Sequence, residues 1–253
     1  MSVDRLAVVS VGGVLTATLN RPDKRNAMDT AMIDALRGAL ERAELDREVR
    51  VVALRGAGKD FCAGADLAEL LASVDNTAAE NEADAARLGS VFTTMRRLPK
   101  PVVGVVHGRA LAGGCGLATA CDLVIARADA TFGYPEIQRG FVPAMVMAML
   151  RRAVSEKAGL DLVLTGRLLA AQEARDIGLV SRVVPADSFE EDVRALLEQL
   201  AGSSPSALAL IKRQFYDVEG RSFDDAVALG ARVNAVARGT RDFREAVARF
   251  LKK

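Results

Sequence analysis

The sequence predicts an α/β core followed by an all-helical C-terminal region. Segments with helical and with strand periodicity alternate as far as Val124, which favours helices layered on a sheet. Beyond about Pro185 the strand patterns stop and only helical patterns follow. The chain therefore divides into a predicted core, residues 1–187, and a predicted helical region, residues 188–253.

Turn residues and apolar spacing define the first elements. Leu6–Val11 and Val14–Leu19 are short apolar runs on either side of Gly12-Gly13, a pattern typical of a β-hairpin. Met28–Leu45 repeats apolar residues at helical spacing and predicts a helix. Val49–Leu54 is a continuous apolar run and predicts a buried strand.

The middle of the chain contains one segment without a clear period. Ser73–Leu88 is polar and acidic, and we interpret it as a mobile loop or a loosely held helix. Pro101–Val106 then predicts a strand, and the paired glycines Gly113-Gly114 open a short apolar helix. The later helices are predicted at residues 189–200, 205–218, 223–237 and 242–251.

Composition limits the class of function. Of the 253 residues, half are hydrophobic, and 34 basic residues balance 33 acidic ones, so a nucleic-acid partner is not expected. No apolar run reaches 18 residues, so no membrane span is expected. Three cysteines in apolar or small-residue settings predict free thiols and a cytoplasmic location. With a single histidine, a histidine-based metal site is not available, and we expect no metal.

Two turns between a strand and a helix offer backbone N–H groups to a ligand. One is Gly58–Leu67, which follows the predicted strand Val49–Leu54, and the other is the turn at Gly113-Gly114. Together they predict a site for a negative oxygen. Glu136 lies among apolar residues, which favours a raised pKa and a role in proton transfer.

These stretches resemble the enoyl-CoA hydratase/isomerase (crotonase) family over almost the whole chain. The matching segments are Leu19–Pro22, Asn26–Met28, Phe61–Leu67, Ala110–Asp122, Phe132–Glu136, Thr165–Arg167, Ala174, Gly178–Val180 and Val183–Pro185. The resemblance implies a spiral of ββα units with a C-terminal helical region that mediates trimerisation, in a homotrimer or homohexamer. It also implies an acyl-CoA thioester as substrate, and no separate cofactor, because CoA is part of that substrate.

The resemblance assigns roles to individual residues. The N–H groups of Ala65 and Gly113 match the two oxyanion donors of the family, and Glu136 matches a catalytic glutamate. Lys24 and Arg25 lie in a segment that matches the CoA-binding loop. The residues that match the opposite wall of the CoA site are Ala63, Asp66 and Leu67.

Gly116 departs from the family pattern. Two-glutamate hydratases of the family carry their other glutamate at this position, where this chain has no side chain. We count Gly116 among the substrate-binding residues and expect the space beside it to be open to a water. Asp122 and the single histidine, His107, are interpreted as structural.

Reversible hydration of a 2-enoyl-CoA by a single glutamate is the leading hypothesis. Alternatives are a Δ3,Δ2-enoyl-CoA isomerase, which Gly116 favours, and a hydratase of a branched, methylglutaconyl-type enoyl-CoA. Thioester hydrolysis stays open. A non-catalytic CoA-ester binder and an RNA-associated family member are disfavoured by Glu136 and by the near-neutral charge.

Overall fold

A computed structural model describes residues 4–252; the outer ends of the two predicted regions, residues 1–3 and 253, lie outside the described residues. The strands are β1 (Leu6–Val11), β2 (Val14–Leu19), β3 (Val51–Gly56), β4 (Val102–Val106), β5 (Arg109–Leu111), β6 (Leu123–Arg127), β7 (Thr131–Gly133), β8 (Leu168–Ala170) and β9 (Arg182–Val184). The helices of the first three quarters are α1 (Thr30–Leu45), α2 (Leu67–Ala72), α3 (Ala78–Arg97), α4 (Gly113–Thr119), α5 (Met147–Ala153), α6 (Glu156–Thr165) and α7 (Ala171–Asp176). The last helices are α8 (Phe189–Ala201), α9 (Pro205–Asp217), α10 (Phe223–Gly239) and α11 (Arg241–Phe250), and two 3₁₀ turns span Pro22–Lys24 and Pro135–Arg139.

The strands form two sheets. The larger sheet has the order β1-β2-β3-β4-β6-β9, in which only the β1–β2 hairpin is antiparallel. The smaller sheet has the order β5-β7-β8, with β5 and β7 parallel. Successive units such as β4-β5-α4 and β6-β7 therefore place one strand in each sheet before turning, which is the predicted ββα repeat.

The parallel strands are buried on both faces. The main core lies between the sheet and the helices α1, α3 and α4. A second core lies on the other face, where Phe189, Val193 and Leu196 of α8 pack against β3, β4 and β6. Burial on both sides explains why these strands are continuously apolar in sequence. The boundary at 187/188 stays a prediction, since α8 packs on the sheet of the core.

The first helix begins slightly later than its apolar spacing indicates. Helix α1 starts at Thr30, because the Asp29 side chain accepts a hydrogen bond from Met32 N at 2.9 Å and caps the helix there. The four C-terminal helices are present within two residues of their predicted bounds.

Of the two interpretations of Ser73–Leu88, a mobile loop or a loosely held helix, the structure has the helix from Ala78 onward. Helix α3 begins inside this segment with a capping box, in which the Thr77 hydroxyl accepts from Glu80 N and the Glu80 carboxylate accepts from Thr77 N. Residues 78–87 are exposed, so this half of the helix buries no apolar stripe and shows no amphipathic period.

The last three helices leave much apolar surface uncovered. Helices α9, α10 and α11 pack mainly on one another. Exposed apolar side chains along them include Ile211, Phe215, Phe223, Val227, Val236, Phe243, Val247 and Phe250. Among the described residues, 4–252, no helix is long and apolar enough to cross a membrane.

Candidate active site

Three backbone segments, which contain Cys62, Ala110 and Phe132, run parallel to one another and leave the small sheet on the same side. Cys62 pairs with Ala110 in a parallel bridge, and Ala110 pairs in turn with Phe132. A few residues further along each segment lie Ala65, Gly113 and Glu136. Because the carboxyl ends of parallel strands meet at one edge of a sheet, the topology brings the three predicted catalytic positions to one edge.

The amides of Ala65 and Gly113 are neighbours. A Cβ atom built on Gly113 would lie 3.9 Å from Ala65 N, and a Cβ atom built on Gly64 would lie 3.3 Å from Gly113 N. In residues 4–252, neither of the two N–H groups donates a hydrogen bond to a protein acceptor. Both residues are half-buried, so two adjacent donors stay available to an oxygen from outside.

Ala112 holds a strained backbone immediately before α4. Its φ of 51° with ψ of −129° is a conformation that is costly for a residue with a Cβ atom, by about 1–3 kcal/mol. The strain is maintained by hydrogen bonds from Ala112 N to Gly133 O and from Gly116 N to Ala112 O, each 2.9 Å long. This conformation turns the Gly113 amide out of the β5 direction at the start of the helix.

The glycines around the two amides serve different purposes. Gly114 is required for close packing, since a Cβ atom there would lie 2.3 Å from Cys62 O. Gly64 has φ of 102°, and a Cβ atom on it would lie 2.8 Å from Ala112 Cβ. At Gly113 the nearest atom is the Met28 methyl at 3.2 Å, which is the end of a flexible side chain.

Glu136 is a buried carboxylate with one oxygen that has no partner. It lies in the second 3₁₀ turn and is 8% exposed, and its Oε2 atom has no hydrogen-bond partner in the structure. Desolvation raises the pKa of Glu136 above its usual range, against smaller opposing effects of a hydrogen bond with its own backbone and of the Arg139 charge. A raised pKa favours a role in which this carboxyl group first accepts and then donates a proton.

The other two buried carboxylates of the described chain are paired with arginine. The Asp29 carboxylate lies 2.7 Å from Arg5 Nε and 3.3 Å from an Arg21 guanidinium nitrogen. Asp60 accepts two hydrogen bonds from the Arg109 side chain, at 2.8 and 3.0 Å. Charge pairing holds these two acids in place, so Glu136 is the buried acid that is left for chemistry.

The expected open space beside Gly116 is not present. A Cβ atom built on Gly116 would lie 2.1 Å from Val146 Cγ1, and the ring of Phe92 lies 3.7 Å from the same point. A carboxylate introduced at this position therefore fits only if Val146 moves. A hydrocarbon side chain fills the position.

The segments predicted to bind CoA form one ribbon with the oxyanion turn. Ala63 N donates to Arg25 O at 3.0 Å, and Met28 N donates to Gly64 O at 2.8 Å. The side chains of Lys24 and Arg25 are exposed on this ribbon.

The other two predicted wall residues differ in how free their side chains are. Leu67 is exposed. Asp66 is committed to structure, because its carboxylate lies 2.8 Å from an Arg21 nitrogen and accepts from Ala68 N at 2.9 Å. Burial raises the pKa of Asp66, but the hydrogen bonds from Arg21 and the Ala68 backbone outweigh it and hold the pKa below its usual range.

Asp122 anchors the C-terminal helices to the core. Its Oδ2 atom lies 2.7 Å from Lys212 Nζ and accepts from Val102 N at 2.7 Å, and its Oδ1 atom accepts from the Tyr216 hydroxyl at 2.7 Å. Lys212 Nζ also donates to Met95 O and Lys100 O, at 2.8 and 3.0 Å. Asp122 is thus part of a satisfied structural network.

The single histidine is also engaged in structure. His107 Nε2 makes a 2.9 Å hydrogen bond with Gly58 O, which ties the end of β4 to the loop after β3.

Known proteins match this chain along its length. The sequence profile of the enoyl-CoA hydratase/isomerase family matches residues 10–253. A protein of Thermus thermophilus named "Putative enoyl-CoA hydratase" is 42% identical over 245 residues, 97% of each chain. The chain belongs to the enoyl-CoA hydratase/isomerase family. It is an enzyme of this family, whose members act on acyl-CoA thioesters.

Other members of the enoyl-CoA hydratase/isomerase family agree with this assignment. The 2,3-dehydroadipyl-CoA hydratase of Escherichia coli is 34% identical over 95% of this chain and 92% of its own length. The crystal structure of an enoyl-CoA hydratase from Mycobacterium smegmatis superposes with a TM-score of 0.93 at 34% identity, covering 98% of this chain and 96% of that one. The predicted crotonase fold is therefore confirmed.

Two residues of the site escaped the sequence reasoning. Ala112 carries no glycine signal, although its conformation is one that glycine prefers. Val146 lies in an apolar, methionine-rich segment whose packing partner is distant in sequence. The available signal was Gly116 itself, because a glycine near the start of a helix leaves a volume that a side chain from another element can fill.

Proposed function

We propose that this enzyme is an acyl-CoA lyase of the enoyl-CoA hydratase type, which adds water reversibly to a 2-enoyl-CoA. The observation that supports it is the juxtaposition of two unpaired amides, on Ala65 and Gly113, with the buried carboxyl group of Glu136, whose Oε2 atom is unpaired, at one sheet edge. The names of the relatives in Thermus thermophilus and Escherichia coli point to the same reaction class.

The two amides are proposed to act as the oxyanion hole. Attack at the β-carbon of an enoyl thioester, or loss of a proton at the α-carbon, moves negative charge to the thioester oxygen. Donors that are already oriented stabilise that charge without reorganising, and removing one such donor typically costs about 2.7–4 kcal/mol of activation free energy. The strained Ala112 supports this role, because it fixes the orientation of the next amide before substrate binds.

Glu136 is proposed as the single acid/base. In hydration its carboxylate takes a proton from water as the oxygen bonds to the β-carbon, and the resulting acid returns a proton to the α-carbon. One group performs both steps only if its pKa lies near the working pH, and burial moves the pKa of Glu136 in that direction. The CoA moiety is proposed to bind at Lys24 and Arg25, whose exposed cations suit phosphate, with Ala63, Asp66 and Leu67 on the opposite wall.

Δ3,Δ2-enoyl-CoA isomerisation is the second candidate. The closed position at Gly116 favours it, since Val146 leaves no room there for a second carboxylate or a water. In this reaction Glu136 takes a proton from C2 of a 3-enoyl-CoA and returns it at C4, so one acid suffices and no water is consumed.

Product analysis on a small substrate panel separates these functions. Purified enzyme is incubated with a 2-enoyl-CoA, a 3-enoyl-CoA and 3-methylglutaconyl-CoA, and products are identified by mass and chromatography. Hydratase activity gives a 3-hydroxyacyl-CoA heavier by one water, whereas isomerase activity gives a conjugated 2-enoyl-CoA of unchanged mass. Release of free CoA would instead indicate hydrolysis. Absence of any product from all three thioesters would overturn the proposal.

The assembly is proposed to be a homotrimer or a homohexamer. The apolar side chains exposed along α9, α10 and α11 support a contact with further copies of the chain, because clusters of this kind are uncommon on monomers. Light scattering that gives a monomeric mass over a wide concentration range would contradict it.

A further inference from the structure

Position 116 of α4 is closed by side chains from two other elements. A Cβ atom built on Gly116 would lie 2.1 Å from Cγ1 and 3.0 Å from Cβ of Val146. Distances this short require one of the groups to move. Val146 is 3% exposed and β-branched, so its packing and its stiff χ1 angle oppose that movement. Phe92 of α3 contributes its ring to the same point.

A single chain segment joins Glu136 to Val146, the side chain that closes position 116. Residues 136–146 join the 3₁₀ turn that carries Glu136 to the turn that precedes α5 and carries Val146. Phe141 N donates to Glu136 O at 3.1 Å, and Leu150 N donates to Val146 O at 2.9 Å. Each end of this segment is therefore fixed by a backbone hydrogen bond.

We propose that Val146 is the specificity-determining residue of this site, because it occupies the volume that a second acidic side chain on α4 would need. The inference rests on the acyl-CoA chemistry proposed for Glu136. Val146 and Phe92 offer only hydrocarbon to this volume, whereas an ordered water requires about two to four polar partners. Val146 therefore favours thioester reactions in which one group carries the proton, such as its transfer between two carbon atoms, over those that need two carboxylates.

The packing claim is tested by a thermal double-mutant cycle. Gly116→Ala lowers Tm by about 5–10 °C, because overpacking outweighs the better helix propensity of alanine. In a Val146→Gly background the same change lowers Tm by less than half as much. The control is Gly159→Ala, at another buried helical glycine, where a Cβ atom would lie an ordinary 3.4 Å from Val154 Cγ2, and Tm stays within about 2 °C. Equal Tm losses in both Val146 backgrounds would overturn the packing claim.

The specificity claim is tested by rates. In Gly116→Glu/Val146→Gly, the ratio of 2-enoyl-CoA hydration to 3-enoyl-CoA isomerisation rises at least about tenfold over Val146→Gly alone. The control is Val154→Gly, at a buried valine immediately after α5, which leaves the wild-type ratio unchanged within about twofold. An unchanged ratio, in a double variant whose Tm shows that the two positions couple, overturns the role of Val146 alone. A wild-type enzyme that converts neither thioester overturns the proposed function and this role together.

Discussion

Two regions of this enzyme differ in whether their polar groups have hydrogen-bond partners. At the Asp122–Lys212 network, the ammonium group has three acceptors and each carboxylate oxygen has a donor. At the candidate active site, the Glu136 Oε2 atom has no partner, and two backbone amides nearby are unpaired. A polar group that folding leaves unsatisfied is costly, so its persistence suggests that a ligand supplies the missing partner. The first region serves stability and the second is kept for chemistry.

The largest expected effect is on activity at Glu136. Glu136→Gln preserves shape and removes proton exchange, so kcat falls by about 10²–10⁴-fold while binding of a non-reactive CoA thioester is retained. Steady-state kinetics and calorimetric titration measure the two quantities. Glu82→Gln, on the exposed half of α3, is the control and keeps the wild-type rate. A wild-type rate in Glu136→Gln together with a loss in Glu82→Gln would assign the proton transfer to α3 and remove the contrast between the regions.

The matching experiment on the structural region should change stability and leave chemistry intact. Lys212→Met breaks the buried pair with Asp122 and lowers the free energy of unfolding by about 3–5 kcal/mol, measured by urea denaturation at fixed protein concentration. The kcat of the folded variant stays within about twofold of wild type. Lys157→Met, at an exposed lysine of α6, changes stability by less than about 0.5 kcal/mol. Loss of kcat without loss of stability would reverse the assignment of this region.

A smaller effect is expected at the proposed CoA loop. Lys24→Ala and Arg25→Ala each raise KM about 2–5-fold and leave kcat unchanged, because an exposed ion pair contributes about 0.2–1 kcal/mol. The increase shrinks at high salt, where such charges are screened. Arg47→Ala, at an exposed arginine beyond the end of α1, leaves KM unchanged. Salt-independent KM values in the loop variants would exclude a phosphate contact.

The smallest effect is a pH-dependent difference in stability at Glu136. Burial raises the pKa of this carboxyl group, so the folded state holds the proton more tightly than the unfolded state does. Its ionisation therefore destabilises the fold progressively as pH rises from the unfolded to the folded pKa. Glu136→Gln is expected to be more stable than wild type at pH 7, and the difference decreases as pH falls. A difference that grows toward low pH would mean that the carboxylate is stabilised by an unrecognised partner.

The sequence predicted those parts of the site that depend on local backbone. Gly64 and Gly114 mark turns where side chains cannot fit, and Glu136 stands in an apolar stretch. The filling of the space at Gly116 by Val146 could not be predicted in this way, because Val146 reaches that space only through the packing of α5 on α4.

The first half of α3 was left open between a loop and a helix for a different reason. Its exposure removes the amphipathic period on which helix prediction relies, although Thr77 and Glu80 carry a readable capping-box signal. The roles of the individual site residues stay predictions until variants are measured.

The three cysteines are buried along the path that joins these two regions. Cys115 is in α4 close to Glu136, Cys121 follows the end of α4 beside Asp122, and Cys62 lies under the oxyanion turn. Burial raises the pKa of Cys62 and Cys115 to about 12 and that of Cys121 further, so very little reactive thiolate is present in the folded enzyme. Alkylating reagents consequently reach each thiol only when its surroundings open, and the order of labelling in rising urea reports which region of the enzyme opens first.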